Sequence, residues 1–207
     1  MESPSRAHRR RKEARPAELI AAALKLFVEH GFAATRLDDV ASAAGVTKGT
    51  LYLYFDSKET LFRAVIEQNI LPLIARAEDS VAHHDGTAAE LLRGLLLDWW
   101  SLVGETEAGG VLKLMVTEAR NFPDVAVYYN EAVVERAKRL VSQVLDLGIA
   151  RGEFRRVDHE MAFHAIFSPA MMLIIWRYSI GACCGQNIDP AHFMDFSFDL
   201  TLNGLKT

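Results

Sequence analysis

Two short helical patterns joined by a glycine turn lie near the N-terminus of this 207-residue chain. The first pattern, Leu37–Ala44, places Val40, Ala41 and Ala44 on one face, as a half-buried helix requires. Gly45 follows directly, at the position where a left-handed residue ends a helix. A tight corner of this kind between two short helices leaves few folds open and predicts a helix-turn-helix over residues 36–55.

Threonines are predicted to begin both helices, Thr35 the first and Thr47 the second, because their hydroxyls can accept bonds from free backbone N–H groups. In the second helix Leu51 and Phe55 are four residues apart and are expected to share one buried face. The remaining positions are predicted to face outward: Lys48, Gly49, Thr50, Tyr52, Leu53 and Tyr54. A cation, a bare backbone, a hydroxyl and two phenols suit contact with a DNA groove and its phosphates.

The segment Gly31–Phe62 resembles the DNA-binding domain of the TetR/AcrR family of bacterial transcriptional regulators. The resemblance rests on Ala41-x-x-x-Gly45-Val46 and on the block Lys48-Gly49-Thr50-Leu51-Tyr52, followed by Phe55, Lys58-Glu59 and Leu61. It covers roughly Arg15–Phe62, and the rest of the chain matches in length and helical character alone. The implied fold is all-α: a three-helix domain over residues 16–62, then an antiparallel helical bundle over 63–207 for ligand binding and dimerisation.

The resemblance also implies which residues contact DNA. They are Thr35, Arg36, Thr47, Lys48, Gly49, Thr50, Tyr52, Tyr54 and Lys58. Gly49 has a separate physical reason, because a residue without a side chain lets the helix backbone approach the duplex closely.

Positive charge is concentrated beside this motif. Residues 1–63 carry 11 Lys and Arg against 8 Asp and Glu, whereas residues 64–207 carry 12 against 19, within a net charge of −4. A basic excess at this place is what phosphate binding requires. Met1–Arg15 shows no periodic pattern and is predicted to be a flexible basic arm, either a solvated tail or an additional contact to phosphates or the minor groove. Pro16 is predicted to be the first helical residue after it.

The rest of the chain reads as helical. Ser57 is expected to cap a long helix that runs from Lys58 towards Ser80 and is kinked at Pro72. Further helices are predicted at about 87–104, 107–121, 124–151, 158–181 and 189–204. Their apolar faces are broad, which indicates burial on more than one side.

Large apolar side chains in these helices are candidates for a ligand pocket, since aromatic rings and methionines form adaptable cavities. The candidates are Trp99, Trp100, Met115, Glu118, Phe122, Tyr128, Phe167, Met171, Met172 and Trp176. For each of them a place in the ordinary bundle core is the alternative.

The last two long helices carry a second apolar surface. It comprises Phe163, Ile166, Ala170, Ile174, Phe193, Phe196 and Leu200. This surface resembles the four-helix dimer interface of the family, and a helix-turn-helix that reads a palindrome needs a two-fold partner. We therefore expect a homodimer through these helices.

The sequence lacks the motifs of an enzyme: there is no nucleophile elbow, no phosphate loop and no paired-histidine metal helix. No catalytic residue, metal or cofactor is therefore predicted. The two cysteines, Cys183 and Cys184, are too few for a disulfide framework and favour a reducing cytoplasm. No apolar run long enough for a membrane span was recognised.

Together these patterns predict a cytoplasmic, ligand-responsive transcriptional regulator. Its partners would be a double-stranded DNA operator, a second copy of the chain and a small-molecule effector, with no membrane. A repressor released from a palindromic operator by a small apolar or amphipathic molecule is favoured. The alternative is a regulator whose C-terminal domain binds a protein partner and no small molecule.

Overall fold

The computed structural model describes residues 4–185 and 188–206, and within them the regular structure is helical. Four helices build the N-terminal part: α1 Pro4–His30, α2 Leu37–Ala43, α3 Lys48–Tyr52 and α4 Lys58–Asn69. Local signals fix their starts. Ser57 accepts a bond from the backbone N–H of Thr60 at the start of α4, and Thr47 does the same for Thr50 at the start of α3.

A bundle of further helices follows. They are α5 Leu71–Ala82, α6 Ala88–Trp99, α7 Ala108–Glu118, α8 Pro123–Tyr129, α9 Glu135–Ala150, α10 His159–Tyr178, α11 Ile180–Cys184 and α12 Pro190–Leu205. Two π-helical turns continue α6 and α8, at Trp100–Gly104 and Asn130–Val134. In the bundle α10 packs against α7, α9 and α12, while α5 and α6 both contact α9. The predicted all-α fold, with a helix-turn-helix domain ahead of a helical bundle, is confirmed.

The core of the N-terminal domain is aromatic. Phe27 of α1, Phe32 of the following turn and Phe62 of α4 have ring centroids 5.1–5.3 Å apart, and none of the three is more than 2% exposed. Edge-to-face and tilted ring pairs of this kind add to the stability that apolar burial alone provides. Helix α3 is fixed to this core through Leu51, which is fully buried.

The basic N-terminal segment differs from the prediction. Residues 1–3 lie outside the described residues, but α1 already begins at Pro4, so the rest of the expected arm is helical and Pro16 lies inside the helix. The segment before Pro16 is rich in Ala, Arg, Lys and Glu. We attribute the helix to these strong helix formers, whose summed preference outweighs the penalty of one proline.

The predicted long helix from Lys58 is in fact two helices. It is interrupted at Ile70, whose φ of −111° departs from the helical value although its ψ of −46° does not. Pro72 occupies the first turn of α5. The proline ring clashes with the preceding helical turn, so a break two residues upstream is its physical consequence.

One helix bears on the expectation that no segment has the length and composition of a membrane span. α10 is long and apolar enough to cross a membrane by length and composition, a criterion that the core helix of a bundle also meets.

Candidate nucleic-acid interface and ligand cavity

The turn between α2 and α3 is closed by a complete Schellman motif. The backbone N–H of Val46 bonds the carbonyl of Ala41 at 2.9 Å, and that of Gly45 bonds Ser42 at 3.0 Å. Gly45 has φ of +65°, the left-handed conformation that favours glycine. The predicted corner is confirmed, and it sets the angle at which α3 leaves α2.

The outward face of α3 carries the side chains predicted for groove contact. Leu53 is 81% exposed and Tyr52 45% exposed, while Leu51 and Phe55 are buried beneath them. An apolar side chain as exposed as Leu53 is suited to contact a thymine methyl group in the major groove. Gly49 is also exposed, and a Cβ there would approach no protein atom closer than 4.0 Å. Folding therefore does not require a glycine at this position.

Lys48 begins α3 and is already paired in the free protein. Its Nζ lies 2.9 Å from one carboxylate oxygen of Asp38 and 3.0 Å from the other, and 5.8 Å from the ring centroid of Tyr52. The hydrogen bond from Lys48 to Asp38 raises the pKa of the lysine above its ordinary value. The pair is exposed, so a phosphate can compete with the carboxylate for this cation.

Two of the predicted DNA contacts are corrected by the structure. Thr35 is 3% exposed, and its hydroxyl lies 3.1 Å from the carbonyl oxygen of Leu26 and 2.8 Å from that of Gly31. It is bound within the turn and faces away from solvent. It also does not cap α2, whose N-cap is Arg36.

Lys58 is the second correction. Its Nζ donates to the carbonyls of Phe32, Ala33 and Thr35 at 2.7, 3.0 and 3.2 Å, which uses all three of its protons. The ammonium also lies 4.7 Å from the ring centroid of Phe32, and burial lowers the pKa of this lysine. Lys58 therefore fixes the turn before α2 to the start of α4 and has no proton left for a phosphate.

The other predicted contacts remain accessible to different degrees. Arg36 and Thr47 are exposed, and the hydroxyl of Thr47 lies 2.9 Å from that of the half-buried Thr50. Tyr54 is half-buried and packs against the hydrophobic core. Arg36, Thr47, Lys48, Gly49, Thr50 and Tyr52 thus form one continuous candidate surface for DNA.

The N-terminal domain is fastened to the bundle by an aromatic contact. Phe122, which precedes α8, meets Phe32 edge-on with ring centroids 4.4 Å apart. Nearby, α1 and α7 approach so closely that a Cβ on Gly110 would lie 2.3 Å from the side chain of Val28. Phe122 was predicted to line a ligand pocket, but this contact places it at the boundary between the two domains.

The bundle contains an apolar cleft of about 700 Å³ between α6, α7, α8, α9 and α10. Half of the predicted pocket residues line it: Trp99, Met115, Phe167, Met171 and Met172. Prediction missed further residues in the wall: Leu112, Val116, Tyr129, Val133, Val134, Ala137, Phe163, His164, Ser168 and Ile175. A volume of this size falls within the range of sites for drug-sized ligands.

The other predicted pocket residues lie elsewhere. Trp100 is buried with its ring against Gly104, and Trp176 lies beside Gly181. Glu118 accepts a bond from the amide of Asn121 at 3.0 Å. Tyr128 donates its hydroxyl to Glu67 of α4 at 2.8 Å, under the guanidinium of Arg63 at 5.2 Å from the ring centroid. Phe122 and Tyr128 therefore belong to the domain boundary.

A second, smaller pocket of about 70 Å³, here called the inner pocket, lies beside the cleft along α5 and α6, and the exposed Arg76 and Asp98 also line it. Five residues line both spaces, and this shared boundary is called the neck: Trp99, Leu112, Tyr129, Val133 and Ala137. The inner pocket extends to Ile70, Leu73 and Ile74, where α4 ends and α5 begins.

A helical pattern could have identified Tyr129. Val125, Tyr129 and Val133 are spaced four residues apart, and all three are buried. This stripe marks the inward face of α8 and its π-helical continuation, whereas Tyr128 is one residue out of phase with it. Size and aromatic character alone led prediction to the wrong tyrosine of the pair.

The predicted dimer surface is corrected in part. Phe163, Ile166, Ala170 and Ile174 are no more than 8% exposed within a single chain. They face the interior of the bundle and are unavailable to a partner. Phe193 is half-buried, while Phe196 and Leu200 on α12 are 58% and 59% exposed, and Met161 of α10 adds to the exposed apolar area.

The helix-turn-helix segment and most of the bundle match known families. Residues 19–65 match the family described as "Bacterial regulatory proteins, tetR family", and residues 82–179 match "Tetracyclin repressor-like, C-terminal domain". The chain is 31% identical over 153 residues to the uncharacterized HTH-type transcriptional regulator YfiR of Bacillus subtilis, covering 71% of each protein. It is 29% identical over 170 residues to the HTH-type transcriptional repressor KstR2 of Rhodococcus jostii, covering 80% of each.

Solved structures show the same fold. The transcriptional regulator FadR of Bacillus subtilis, solved in complex with stearoyl-CoA, superposes with a TM-score of 0.77 at 23% identity. The alignment covers 91% of this chain and 98% of that one. The likeness therefore includes the reading domain and the bundle together.

Proposed function

The chain belongs to the TetR family of bacterial transcriptional regulators, and we propose that it is a homodimeric repressor released from a palindromic operator by a small apolar or amphipathic molecule. One observation carries the proposal. The same chain holds an outward-facing helix α3 and an apolar cleft of about 700 Å³, and the inner pocket beside that cleft reaches the break that separates α4 from α5.

The chemistry of the cleft supports an effector with a large apolar body. Its wall contains no Asp, Glu, Lys or Arg among the described residues, and its polar groups are Tyr129, His164 and Ser168. The FadR relative was solved with stearoyl-CoA, an amphipathic molecule with a long apolar chain. A formed cleft and a relative of this kind favour a small molecule over the alternative of a protein partner.

The wall of the cleft suggests how effector binding would affect the reading heads, the two DNA-binding domains of the dimer. Leu112 and Met115 of α7 face the cleft, while Gly110 of the same helix is in close contact with Val28 of α1. A ligand that displaces α7 would therefore move α1, and a group in the inner pocket would push on Ile70. Both movements change the spacing of two reading heads that must enter successive major grooves.

The dimer would form through the exposed faces of α10 and α12. Phe196→Asp should yield monomers in sedimentation velocity, because it places a charge in an apolar two-fold interface. Ala191→Asp introduces the same charge on another face of α12, in its first turn, and should leave the dimer intact. Dimers in both variants would place the interface elsewhere.

The DNA-binding part of the proposal is tested by selecting bound sequences from a random duplex library with the full chain. An inverted repeat should emerge, and Tyr52→Ala should weaken binding to it while sedimentation and the melting temperature stay unchanged. Selection of a single, unrepeated site would contradict the dimeric reading. Full affinity of Tyr52→Ala would contradict the assignment of α3 as the reading helix.

A further inference from the structure

Tyr129 is a mostly buried residue whose hydroxyl oxygen is reached by solvent and has no partner among the described protein groups. The residue ends α8, is 8% exposed and lines both the cleft and the inner pocket. No hydrogen bond joins its hydroxyl to any residue that the structure describes, in contrast to Tyr128, whose hydroxyl is held by Glu67 at 2.8 Å. Because solvent reaches this oxygen from the cavities that the residue lines, a ligand there can take the place of water as its hydrogen-bond partner.

The environment of Tyr129 fixes its chemical role. Burial raises the pKa of its hydroxyl far above the ordinary value, so the group keeps its proton at physiological pH. A neutral phenol in an apolar wall can donate one hydrogen bond. It will bind an oxygen or nitrogen acceptor and will not attract an ion by charge.

The backbone is irregular at the same place. The π-helical turn Trp100–Gly104 begins directly after Trp99, and the turn Asn130–Val134 begins directly after Tyr129. Trp99 and Tyr129, the residues that directly precede these two turns, both line the cleft and the inner pocket. π-Helical turns inside α-helices occur frequently at functional sites, because the extra residue re-aims neighbouring side chains.

We propose that Tyr129 is the specificity-determining hydrogen-bond donor of the effector site, and that the effector carries a carbonyl-type acceptor inside its apolar body. The inference rests on the proposed function and names the chemistry of its ligand. The acceptor lies within the body, since Tyr129 is at the neck between a large space and a small one. Apolar groups of the ligand then extend to both sides, the larger into the cleft and a short one towards Ile70.

Two small molecules of matched shape test this inference. Benzophenone has a carbonyl between two apolar rings, and diphenylmethane replaces that carbonyl by a methylene group. Dissociation constants of both are measured by isothermal titration with the full-length parent and with Tyr129→Phe. The preference for benzophenone should be about 2- to 12-fold larger in the parent than in the variant, the effect of one hydrogen bond.

Ser168→Ala is the matched control. Ser168 also lines the cleft, but its hydroxyl already donates to the carbonyl oxygen of His164. Its removal should leave the preference for benzophenone unchanged. The melting temperature of ligand-free Tyr129→Phe should be unchanged or higher, because the hydroxyl makes no hydrogen bond within the described chain that its removal would cost.

The outcomes separate the inference from the function on which it rests. Equal preferences in the parent and Tyr129→Phe would overturn the role of this hydroxyl and leave the cavity as a ligand site. The same loss of preference in Ser168→Ala would also overturn it. Binding of neither compound to the parent would contradict the cavity itself, and with it the effector part of the proposed function.

Discussion

The reading domain and the bundle use aromatic side chains in opposite ways. In the reading domain Phe27, Phe32 and Phe62 close on one another and exclude solvent. In the bundle Phe167 makes similar ring contacts, 5.3 Å to Trp99 and 4.9 Å to Phe163, yet all three rings border an open cleft. The first domain has a filled interior and a candidate DNA-binding surface, whereas the second encloses a candidate ligand cleft.

This difference predicts how side-chain truncation will affect the stability and the function of each half. A filled core loses stability when a side chain is truncated, because the cavity left behind has no partner atoms. A residue that already borders a cavity has fewer contacts to lose. Function should follow the reverse order, since truncation in the cleft alters the space that a ligand would occupy.

Phe62→Ala and Phe167→Ala test the comparison most strongly. Phe62 is fully buried, so its truncation should lower the free energy of unfolding by about 3–5 kcal/mol. Phe167 is half-buried at the cleft, and the same change should cost about 1 kcal/mol. Urea denaturation followed by circular dichroism measures both. Equal losses would mean that the cleft is as tightly packed as the aromatic core.

Lys58→Met and Lys48→Met separate a structural lysine from a DNA-binding one. Loss of the Lys58 ammonium leaves three turn carbonyls without their donor and should lower the free energy of unfolding by about 1.5–3 kcal/mol. Lys48 is exposed and paired with Asp38, so its replacement should lower the free energy of unfolding much less than the replacement of Lys58 does.

The two variants should rank in the opposite order in the salt dependence of operator affinity, where Lys48→Met should have the larger effect. Each phosphate contact contributes about 0.9 to the slope of log affinity against log salt concentration. Lys48→Met should reduce the slope by about that amount for each subunit, and Lys58→Met should leave it unchanged. A reduced slope in Lys58→Met would restore this lysine as a phosphate contact.

Gly49→Ala sets stability against recognition within one residue. Alanine is favoured over glycine in a helix by about 1 kcal/mol, and nothing in the protein opposes a methyl group at this exposed position. The variant should therefore be slightly more stable. Operator affinity should nevertheless fall, because the methyl group keeps the α3 backbone away from the duplex. An affinity equal to that of the parent would mean that the helix does not approach the DNA at Gly49.

The reading domain could be predicted largely from local signals. Gly45 ends α2 and Thr47 caps α3 through bonds within a few residues, and these bonds form wherever the pattern occurs. The structure differs from the prediction at Thr35 and Lys58 because their partners are backbone carbonyls of α1 and of the turn that follows it, and a sequence pattern does not show how this turn folds back. For Lys58 those carbonyls are 23–26 residues away along the chain.

The cleft was less predictable for a physical reason. Trp99 lines it and Trp100 is buried in the core, although the two residues are adjacent and chemically identical. Whether an inward apolar residue meets a gap or another side chain depends on the packing of several helices, which periodicity along one helix does not encode. The same reason explains why Phe163 and Ile174 were assigned to a dimer surface and lie inside the chain.

Glu78→Gln tests the smallest expected effect on stability. It removes a surface ion pair of the bundle, whose contribution is compared with that of the enclosed Lys58 in the reading domain. Arg136 of α9 donates two bonds to Glu78 of α5, at 3.0 and 2.7 Å, and thereby joins the first helix of the bundle to its centre. The hydrogen bond from Arg136 lowers the pKa of Glu78. Because the folded pKa is the lower one, this stabilisation is present above the unfolded value of 4.5 and is lost as pH falls through the folded value.

At pH 7 the variant should lose about 0.2–1 kcal/mol of unfolding free energy, since the carboxylate is largely exposed. Parent and variant should become equally stable in urea titrations once the pH lies below the folded pKa of Glu78, and a difference that persists there would assign the loss to something other than the ion pair.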